Sequence, residues 1–296
     1  MNDQADMLRQ KINKLKNEST KKLVKPSARV ITITSGKGGV GKTNITVNLA
    51  LALSEMGLRV VVIDADLGLA NVELILGRIP KFNLLDLIEK DKNIIEVLTA
   101  GPNNIKFISG GSGVEQLTKL TNEQINKFIS NIALLDKIAD VILIDTGAGI
   151  TENIISFIMA AEDILLVTTP EPTAITDAYA VIKTINAKEH DKKINLIINR
   201  AESASEAQSV MQKINMVSQR YLKRKNEYLG FVLNDPMVAK AVRQQQPLLM
   251  SYPKTVATGN IKEIAKKIIG NVDNTVENNN LGVKNFFNKF LKFSKN

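Results

Sequence analysis

Residues 30–43 read Val-Ile-Thr-Ile-Thr-Ser-Gly-Lys-Gly-Gly-Val-Gly-Lys-Thr, a β-branched run followed by a glycine-rich loop. The last eight of these residues match the pattern G-x-x-x-x-G-K-[ST], and residues 44–56 directly behind them have a helical sequence. Glycines let the loop backbone curve so that its N–H groups and the following helix N-terminus point at one anion. The stretch therefore predicts a phosphate site between a strand and a helix.

The residues of this loop have different expected roles. Lys42 should reach the β- and γ-phosphates of a nucleotide, and the Thr43 hydroxyl should ligate Mg²⁺. Backbone groups of the rest of the loop should surround the phosphate chain. The predicted nucleotide-binding residues of the loop are Gly36, Lys37, Gly38, Gly39, Val40, Gly41, Lys42, Thr43 and Asn44.

Acidic side chains follow two further apolar runs, residues 60–63 and 141–144. Asp64 and Asp66 come after the first run, and Asp145 comes after the second. Open α/β sheets bind ligands at the carboxyl ends of their strands, so these carboxylates should face the phosphate loop. Asp145 is the predicted Mg²⁺ partner with Asp64 as its helper, and Asp66 could orient the attacking water. The alternative for each is that it caps the next helix.

Short β-branched runs alternate with longer helical stretches after residue 29. The runs are unbroken rather than alternating in polarity, which is typical of strands covered by helices on both faces. We therefore expect an α/β fold with a doubly wound, mainly parallel sheet flanked by helices on both faces. The predicted strands are residues 30–34, 60–63, 105–108, 141–144, 164–168, 194–198 and 228–232.

Composition restricts the chemistry that the chain can perform. The 296 residues include no Cys and a single His, which excludes disulfides, thiolate metal sites and imidazole clusters. No apolar run approaches the length of a membrane span, about 18 residues, and the charged N-terminus does not resemble a signal peptide. The expected location is the cytoplasm.

The net charge of +9 is concentrated in the two terminal segments. Residues 1–29 carry eight basic and three acidic side chains, and residues 281–296 carry four lysines and no acid. The residues between them hold 27 basic and 27 acidic side chains, so this part of the chain is neutral. The charge pattern therefore predicts no specific nucleic-acid partner.

Composition also divides the chain into four predicted segments. Residues 1–28 combine a narrow apolar stripe of a helix with a linker, and residues 29–270 form the nucleotide-binding domain. Residues 271–280 are a polar, Asn-rich linker, and residues 281–296 are a last amphipathic helix.

The last helix has its apolar side chains on one side. At 100° per residue, the apolar side chains of residues 283–293 fall within about 80° of Val283, and the lysines lie outside this arc. Together with the absence of acids, this pattern favours a helix that lies in an anionic membrane interface through residues 283–293. The alternative is that the helix packs on the domain's own surface or on a partner.

An additional lysine in the loop, Lys37, makes it similar to the deviant Walker A motif of the MinD/ParA class of ATPases. The resemblance covers about residues 29–270 and implies ATP or ADP with Mg²⁺ as ligands. It implies an ATP-dependent homodimer in which Lys37 acts on the partner's nucleotide, while Asp66 positions water. It also implies that Asn199 and Arg200 contact adenine. The implied catalytic residues are Lys37, Lys42 and Asp66.

Three stretches resemble the FlhG branch of that class, also called FleN or YlxH, whose members are MinD-like regulators of flagellar number and placement. Residues 3–9, Asp-Gln-Ala-Asp-Met-Leu-Arg, match the branch's DQAxxLR motif, and residues 145–149 and 169–179 match two others. The resemblance implies that residues 2–16 stimulate an FlhF-type GTPase and that flagellar C-ring components are partners. It also implies that the protein moves reversibly between the cytoplasm and the inner face of the cytoplasmic membrane.

Other functions remain open at this point. A ParA-type ATPase for DNA or plasmid partition would bind DNA nonspecifically, which the neutral body and the Phe-rich tail disfavour. A MinD that selects the cell-division site is a second alternative. A third is a binding module in which nucleotide is structural, and slow turnover with tight nucleotide retention would favour it.

Overall fold

The computed structural model describes residues 27–66, 71–110, 116–117, 120–270 and 282–294. Its strands are β1 Arg29–Ser35, β2 Val60–Ala65, β3 Thr99–Ala100, β4 Lys106–Ser109, β5 Val141–Ala148, β6 Asp163–Thr168, β7 Ile194–Ala201 and β8 Glu227–Leu233. Within these residues they form one eight-stranded sheet in the order β3-β4-β2-β5-β1-β6-β7-β8. Each neighbouring pair is parallel except β3 and β4, which are antiparallel.

Helices cover both faces of this sheet. In the described residues they are α1 Lys42–Glu55, α2 Asn71–Leu76, α3 Asp86–Glu89, α4 Ile94–Val97, α5 Asn122–Ile132, α6 Leu135–Ile138, α7 Glu152–Ala160, α8 Pro172–Lys188, α9 Ala204–Leu222, α10 Pro236–Arg243, α11 Leu248–Ser251, α12 Val256–Gly270 and α13 Val283–Ser294. A 3₁₀ turn occupies Pro102–Asn104. No helix in this part of the chain is both long and apolar enough to cross a bilayer.

The predicted α/β fold is confirmed, and each of the seven predicted runs coincides with one parallel strand. Successive residues of these strands enter two different cores, which explains why the runs are unbroken. In β5, Ile142 and Ile144 join the core beneath α7, α8 and α9, whereas Val141 and Leu143 join the core beneath α1 and α12. The sequence did not predict β3, because an edge strand of two residues carries no periodic signal.

The strand order determines where a ligand can bind. β1 lies between β5 and β6. From β1 the chain crosses past β5 to form β2, whereas from β5 it crosses past β1 in the opposite direction to form β6. The carboxyl ends of β1, β2 and β5 therefore meet at a topological switch point, where open α/β sheets bind their ligands.

The C-terminal helix α13 lies on the domain itself, in a groove between α5 and α7. The Phe287 ring meets the edge of the Phe128 ring at a centroid distance of 5.2 Å. The Phe290 ring stacks on the Phe157 ring at 4.2 Å. The buried residues of the helix are Val283, Phe286, Phe287, Phe290 and Leu291. The structure thus shows the second of the two packings that the sequence allowed.

A single carboxylate holds the beginning of α13. One oxygen of Asp136 accepts the backbone N–H of Val283 at 3.0 Å and that of Ala28 at 3.1 Å. Gly282 precedes the helix with a φ of 117°, and a Cβ there would press on Ser27 and Asp136. Residue 28 and the start of α13 therefore lie side by side.

A second anchor joins the start of β1 to the end of α12. The Arg29 guanidinium donates to the Ile268 carbonyl at 2.6 Å and forms an ion pair with Asp163 at 2.6 Å. Ile268 lies in the last turn of α12, two residues before its end. The predictions for residues 2–16 and for the 271–280 linker lie outside the described residues.

Candidate nucleotide site

The loop between β1 and α1 contains backbone positions that only glycine fits. Gly41 caps α1 with a φ of 89°, and a Cβ there would collide with the Asn199 amide. A Cβ on Gly36 would collide with the backbone of Asp177 in α8. At the two glycines in the middle of the loop, a Cβ would meet nothing within 4 Å. The loop is therefore packed at its ends and has free space beside its middle.

Three side chains of α1 meet on one carboxylate below this loop. Asp145 in β5 accepts from the Lys42 ammonium at 2.9 Å and from the Thr43 hydroxyl at 2.6 Å. The Thr46 hydroxyl donates to it at 2.8 Å. Asp145 is fully buried, and Lys42 is 7% exposed. The structure thus brings the predicted phosphate-binding lysine and the predicted metal-binding threonine together on the predicted metal-binding acid.

Asp64 is the register neighbour of Asp145 across β2 and β5. Burial, and then the negative charge of Asp145, raise the pKa of Asp64 to about 7, although the N–H groups of Val72 and Asp66 both donate to its carboxylate. A divalent cation bound beside two such buried carboxylates would stabilise their negatively charged form.

The oxygen donors at this point fit Mg²⁺. Hydroxyl and carboxylate oxygens are the ligands that Mg²⁺ prefers, and the Thr43 hydroxyl and the carboxylates of Asp64 and Asp145 supply them. No group of three or more Asp, Glu or His side chains that could hold a metal occurs among the described residues.

Asp66 lies in the same cleft as the loop, beyond the end of β2. The Asn71 amide donates to its carboxylate at 3.4 Å. A Cβ on Gly147 would lie 3.4 Å from the other carboxylate oxygen. The predicted water-positioning acid therefore lies between the beginning of α2 and the end of β5, in the cleft that holds the predicted phosphate site.

Lys37 does not line the cleft that its own loop forms. Its ammonium contacts the beginning of α8, with 3.0 Å to a Glu171 carboxylate oxygen and 2.7 Å to the Thr173 hydroxyl. The Lys37 and Glu171 side chains are 37% and 57% exposed. The other lysine of the loop, Lys42, is buried within the site, so the structure gives the two lysines different surroundings.

The cleft has a volume of about 820 Å³ and extends from the loop toward the ends of β7 and β8. Both residues of the predicted adenine contact line it, and the Asn199 amide also donates to the Val40 carbonyl of the loop at 2.7 Å. Arg200 has a φ of 57°, a left-handed conformation that non-glycine residues rarely adopt. The opposite wall includes Asn234, Asp235, Pro236, Val238, Val242 and Arg243.

Sequence reasoning missed several residues of this site. Thr46 could have been found, because it lies one helical turn after Lys42 and therefore on the same face of α1. Glu171 and Thr173 lie far from Lys37 in sequence, and no spacing rule links them. The wall formed by α10 depends on helix packing, for which the sequence gives no local signal.

Comparison with known proteins finds one matching family model and several similar chains. A family model for ParA, described as NUBPL iron-transfer P-loop NTPase, matches residues 27–269. The antiactivator FleN of Pseudomonas aeruginosa is 40% identical over 240 residues, which are 81% of this chain and 86% of FleN. The flagellum site-determining protein YlxH of Helicobacter pylori is 34% identical over 296 residues, covering 99% of both chains.

The fold is also similar to a solved structure. A chain of the MinC:MinD cell division protein complex of Aquifex aeolicus superimposes with a TM-score of 0.67 and 28% sequence identity. The similarity covers 82% of this chain and 96% of that one.

Proposed function

This chain belongs to the ParA/MinD family of P-loop NTPases, and on that premise we propose that it is an ATPase that controls the number and placement of flagella. The convergence of Lys42, Thr43 and Thr46 on Asp145 below the glycine loop carries the chemical part of the proposal. The similarity to YlxH along nearly the whole of both chains supports the flagellar part, because it includes both terminal segments.

Each residue of the site has a separate role in the proposed phosphoryl transfer. Lys42 turns from Asp145 toward the β- and γ-phosphates and offsets the negative charge that develops there. Bound Mg²⁺ would supply a Lewis acid that offsets the negative charge of the phosphate oxygens. The Thr43 hydroxyl would hold the ion, with support from the Asp145 and Asp64 carboxylates. Asp66 accepts a hydrogen bond from the attacking water and thereby orients it.

We assign Lys37 to the nucleotide of a second subunit. Its ammonium is partly exposed and bound to Glu171 and Thr173 rather than to its own cleft. An exposed ion pair of this kind contributes at most about 1 kcal/mol, so a partner's phosphates can displace it. The proposed ATP-bound state is therefore a homodimer in which each Lys37 completes the other subunit's site.

In the proposed membrane-bound state, the apolar face of α13 contacts lipid. The same face is buried in the groove of the domain when the helix is docked. The two locations are therefore mutually exclusive, and the helix has to leave α5 and α7 before it reaches lipid. Both surroundings are apolar, so the exchange changes the hydrophobic free energy little. Attraction of lysines to anionic lipid, about 1 kcal/mol each, then decides the direction.

Dimerisation connects this exchange to the nucleotide. α7, which forms one wall of the groove, begins at Glu152, shortly after the end of β5. Because β5 carries Asp145, a movement of the protein around the phosphates is transmitted to this wall of the groove. Two helices on one dimer also bind lipid through effective concentration, although each alone is marginal. Anionic membrane and the ATP dimer therefore support each other.

We expect ATP with Mg²⁺, but not ADP, to convert monomer to dimer, and Asp66→Ala to accumulate the dimer because the attacking water loses its orienting carboxylate. Lys37→Ala should stay monomeric with ATP while it still binds nucleotide, because its ammonium acts on the partner's site. Light scattering with each nucleotide measures the masses of all these proteins.

For Asp66→Ala, a monomer in saturating ATP would contradict the proposed dimer. For Lys37→Ala, the matched control is Lys188→Ala, at the far end of α8.

The N-terminal segment supplies a separate activity in this proposal. Deletion of residues 2–16 should leave ATP hydrolysis intact and abolish the stimulation of an FlhF-type GTPase, because the segment precedes the folded domain and carries its own motif. GTP hydrolysis measured with a synthetic peptide of these residues is the test. A peptide with the same composition and scrambled order is the control, and equal stimulation by both peptides would contradict a sequence-specific role. Flagellar C-ring components remain further proposed partners.

Two alternatives have less support. Iron transfer, which the description of the family model mentions, normally needs thiolate ligands, and the chain contains no Cys. DNA partition needs a basic surface, whereas residues 30–280 carry equal numbers of basic and acidic side chains.

A further inference from the structure

A chain of hydrogen-bonded amides runs from the nucleotide cleft to α11. Asn44, the third residue of α1, lines the cleft, and its Oδ1 accepts from the Asn48 Nδ2 at 3.2 Å. The same Asn48 nitrogen donates to the Asn44 carbonyl at 2.8 Å. The Oδ1 of Asn48 accepts the backbone N–H of Leu249 at 2.9 Å. Asn48 is completely buried.

The backbone N–H of Leu249, at the α11 end of this chain, fixes the direction of every hydrogen bond in it. A backbone N–H can only donate, so Leu249 requires the oxygen of the Asn48 amide. The nitrogen of Asn48 must then face Asn44, and it requires the oxygen of that amide. The nitrogen of Asn44 is left over; it is buried and has no hydrogen-bond partner. A buried amide donor without a partner costs free energy, which an acceptor in the cleft would remove.

We infer that Asn48 is a positioning residue that holds the Asn44 amide with its NH₂ group facing a phosphate of the bound nucleotide. The inference rests on the nucleotide site proposed above and adds a residue that contacts no ligand itself. Phosphate oxygens are acceptors only, so they match the donor that the chain presents. Because Asn48 also holds Leu249, a bound phosphate stiffens the beginning of α11 through the same amides.

The test is a double-mutant cycle on nucleotide affinity. Asn44→Ala should weaken the binding of ATP and ADP about ten- to hundredfold, because it removes a hydrogen bond to a charged group. It leaves Asn48 bonded to the residue 44 carbonyl, so the chain still folds. Asn48→Ala should weaken binding about three- to tenfold, since Asn44 is then free to turn away. The double variant should bind no more weakly than Asn44→Ala alone.

Asn226→Ala is the matched control. Asn226 is another buried amide, 1% exposed, that donates to Asn215 and Ser218 away from the cleft. It should lower thermal stability without a change in nucleotide affinity. Losses that add in the double variant would overturn the inference, because Asn48 would then act independently of Asn44. Wild-type binding in the same titration separates this outcome from a failure of the nucleotide site.

Hydrogen exchange gives a second measurement that does not depend on the folding of Asn48→Ala. Saturating ADP should slow exchange of the Leu249 amide in the wild-type protein, and the slowing should shrink by at least half in Asn44→Ala. Equal slowing in both proteins would show that the phosphates do not reach α11 through these amides.

Discussion

A chain with Lys42→Ala is expected to lose more than a hundredfold in affinity for ATP and ADP and to lose ATP hydrolysis. The same change should also destabilise the ligand-free protein. Lys42 is the ammonium that balances the fully buried Asp145, and removal of one member of a buried pair costs about 3–5 kcal/mol. At roughly 2–4 °C per kcal/mol, thermal unfolding should show the change clearly.

A second substitution separates the two effects of Lys42→Ala. Lys42→Ala combined with Asp145→Asn should regain most of the lost stability, because no unpaired charge remains, yet it should not bind nucleotide. Lys262→Ala, which breaks an exposed ion pair with Glu55, is the control and should change neither property. If the double variant is no more stable than Lys42→Ala, the Lys42–Asp145 pair is not the source of the stability.

Substitutions on the apolar face of α13 and at the carboxylate that holds its first residue should change membrane binding in opposite directions. Phe290→Glu places a charge on the apolar face, so it should abolish binding to anionic vesicles with ADP and with ATP. Asp136→Ala removes the acceptor for the first N–H of α13, a cap worth about 1 kcal/mol that exists only in the docked state. It should therefore raise vesicle binding with ADP about fivefold.

Vesicle sedimentation with each nucleotide measures both variants. Asp91→Ala removes an 82% exposed carboxylate, paired with Lys127, that does not contact α13, and it should bind as the wild-type protein does. Neutral vesicles and high salt should weaken all binding, because the lysine contribution is electrostatic. If Asp136→Ala lowers binding as Phe290→Glu does, the groove and the membrane do not compete for the helix.

The sequence predicted the sheet well because its strands are buried on both faces. Runs such as residues 141–144 are short, apolar and rich in Val and Ile, which favours buried strands between helices. The observed β5 continues to Ala148, beyond the predicted end, because Asp145 and Thr146 still pair with β2. No local pattern shows where a polar residue continues a ladder.

The geometry of the candidate nucleotide site was predictable to the extent that its residues lie in recognisable motifs. The loop supplied Lys42 and Thr43, and the strand-end rule supplied Asp64 and Asp145. The role of Asn48 was not predicted, because the sequence does not distinguish a buried Asn of a helix from an exposed one. The partner that reveals its role, the backbone N–H of Leu249 in α11, is distant in sequence. Such long-range partners depend on tertiary packing rather than on spacing.

The packing of α13 could not be decided from the sequence, because a membrane interface and a protein groove select the same arc of apolar side chains. Lysines outside the arc suit both, since they face water in one case and lipid headgroups in the other. The groove depends on Phe128 and Phe157, which lie more than a hundred residues before the helix. Only the three-dimensional arrangement shows that they form a surface that fits it.

Both terminal segments start from one point on the domain. Arg29 binds the Ile268 carbonyl, so this anchor does not depend on whether α13 is docked. From that root, the 11 residues from 17 to 27 reach about 40 Å at full extension, and the linker before α13 reaches a similar distance. A GTPase held by residues 2–16 would therefore stay within two tether lengths of the bilayer that holds α13. In the proposed arrangement, the length of these tethers would then set how concentrated that GTPase becomes at the membrane.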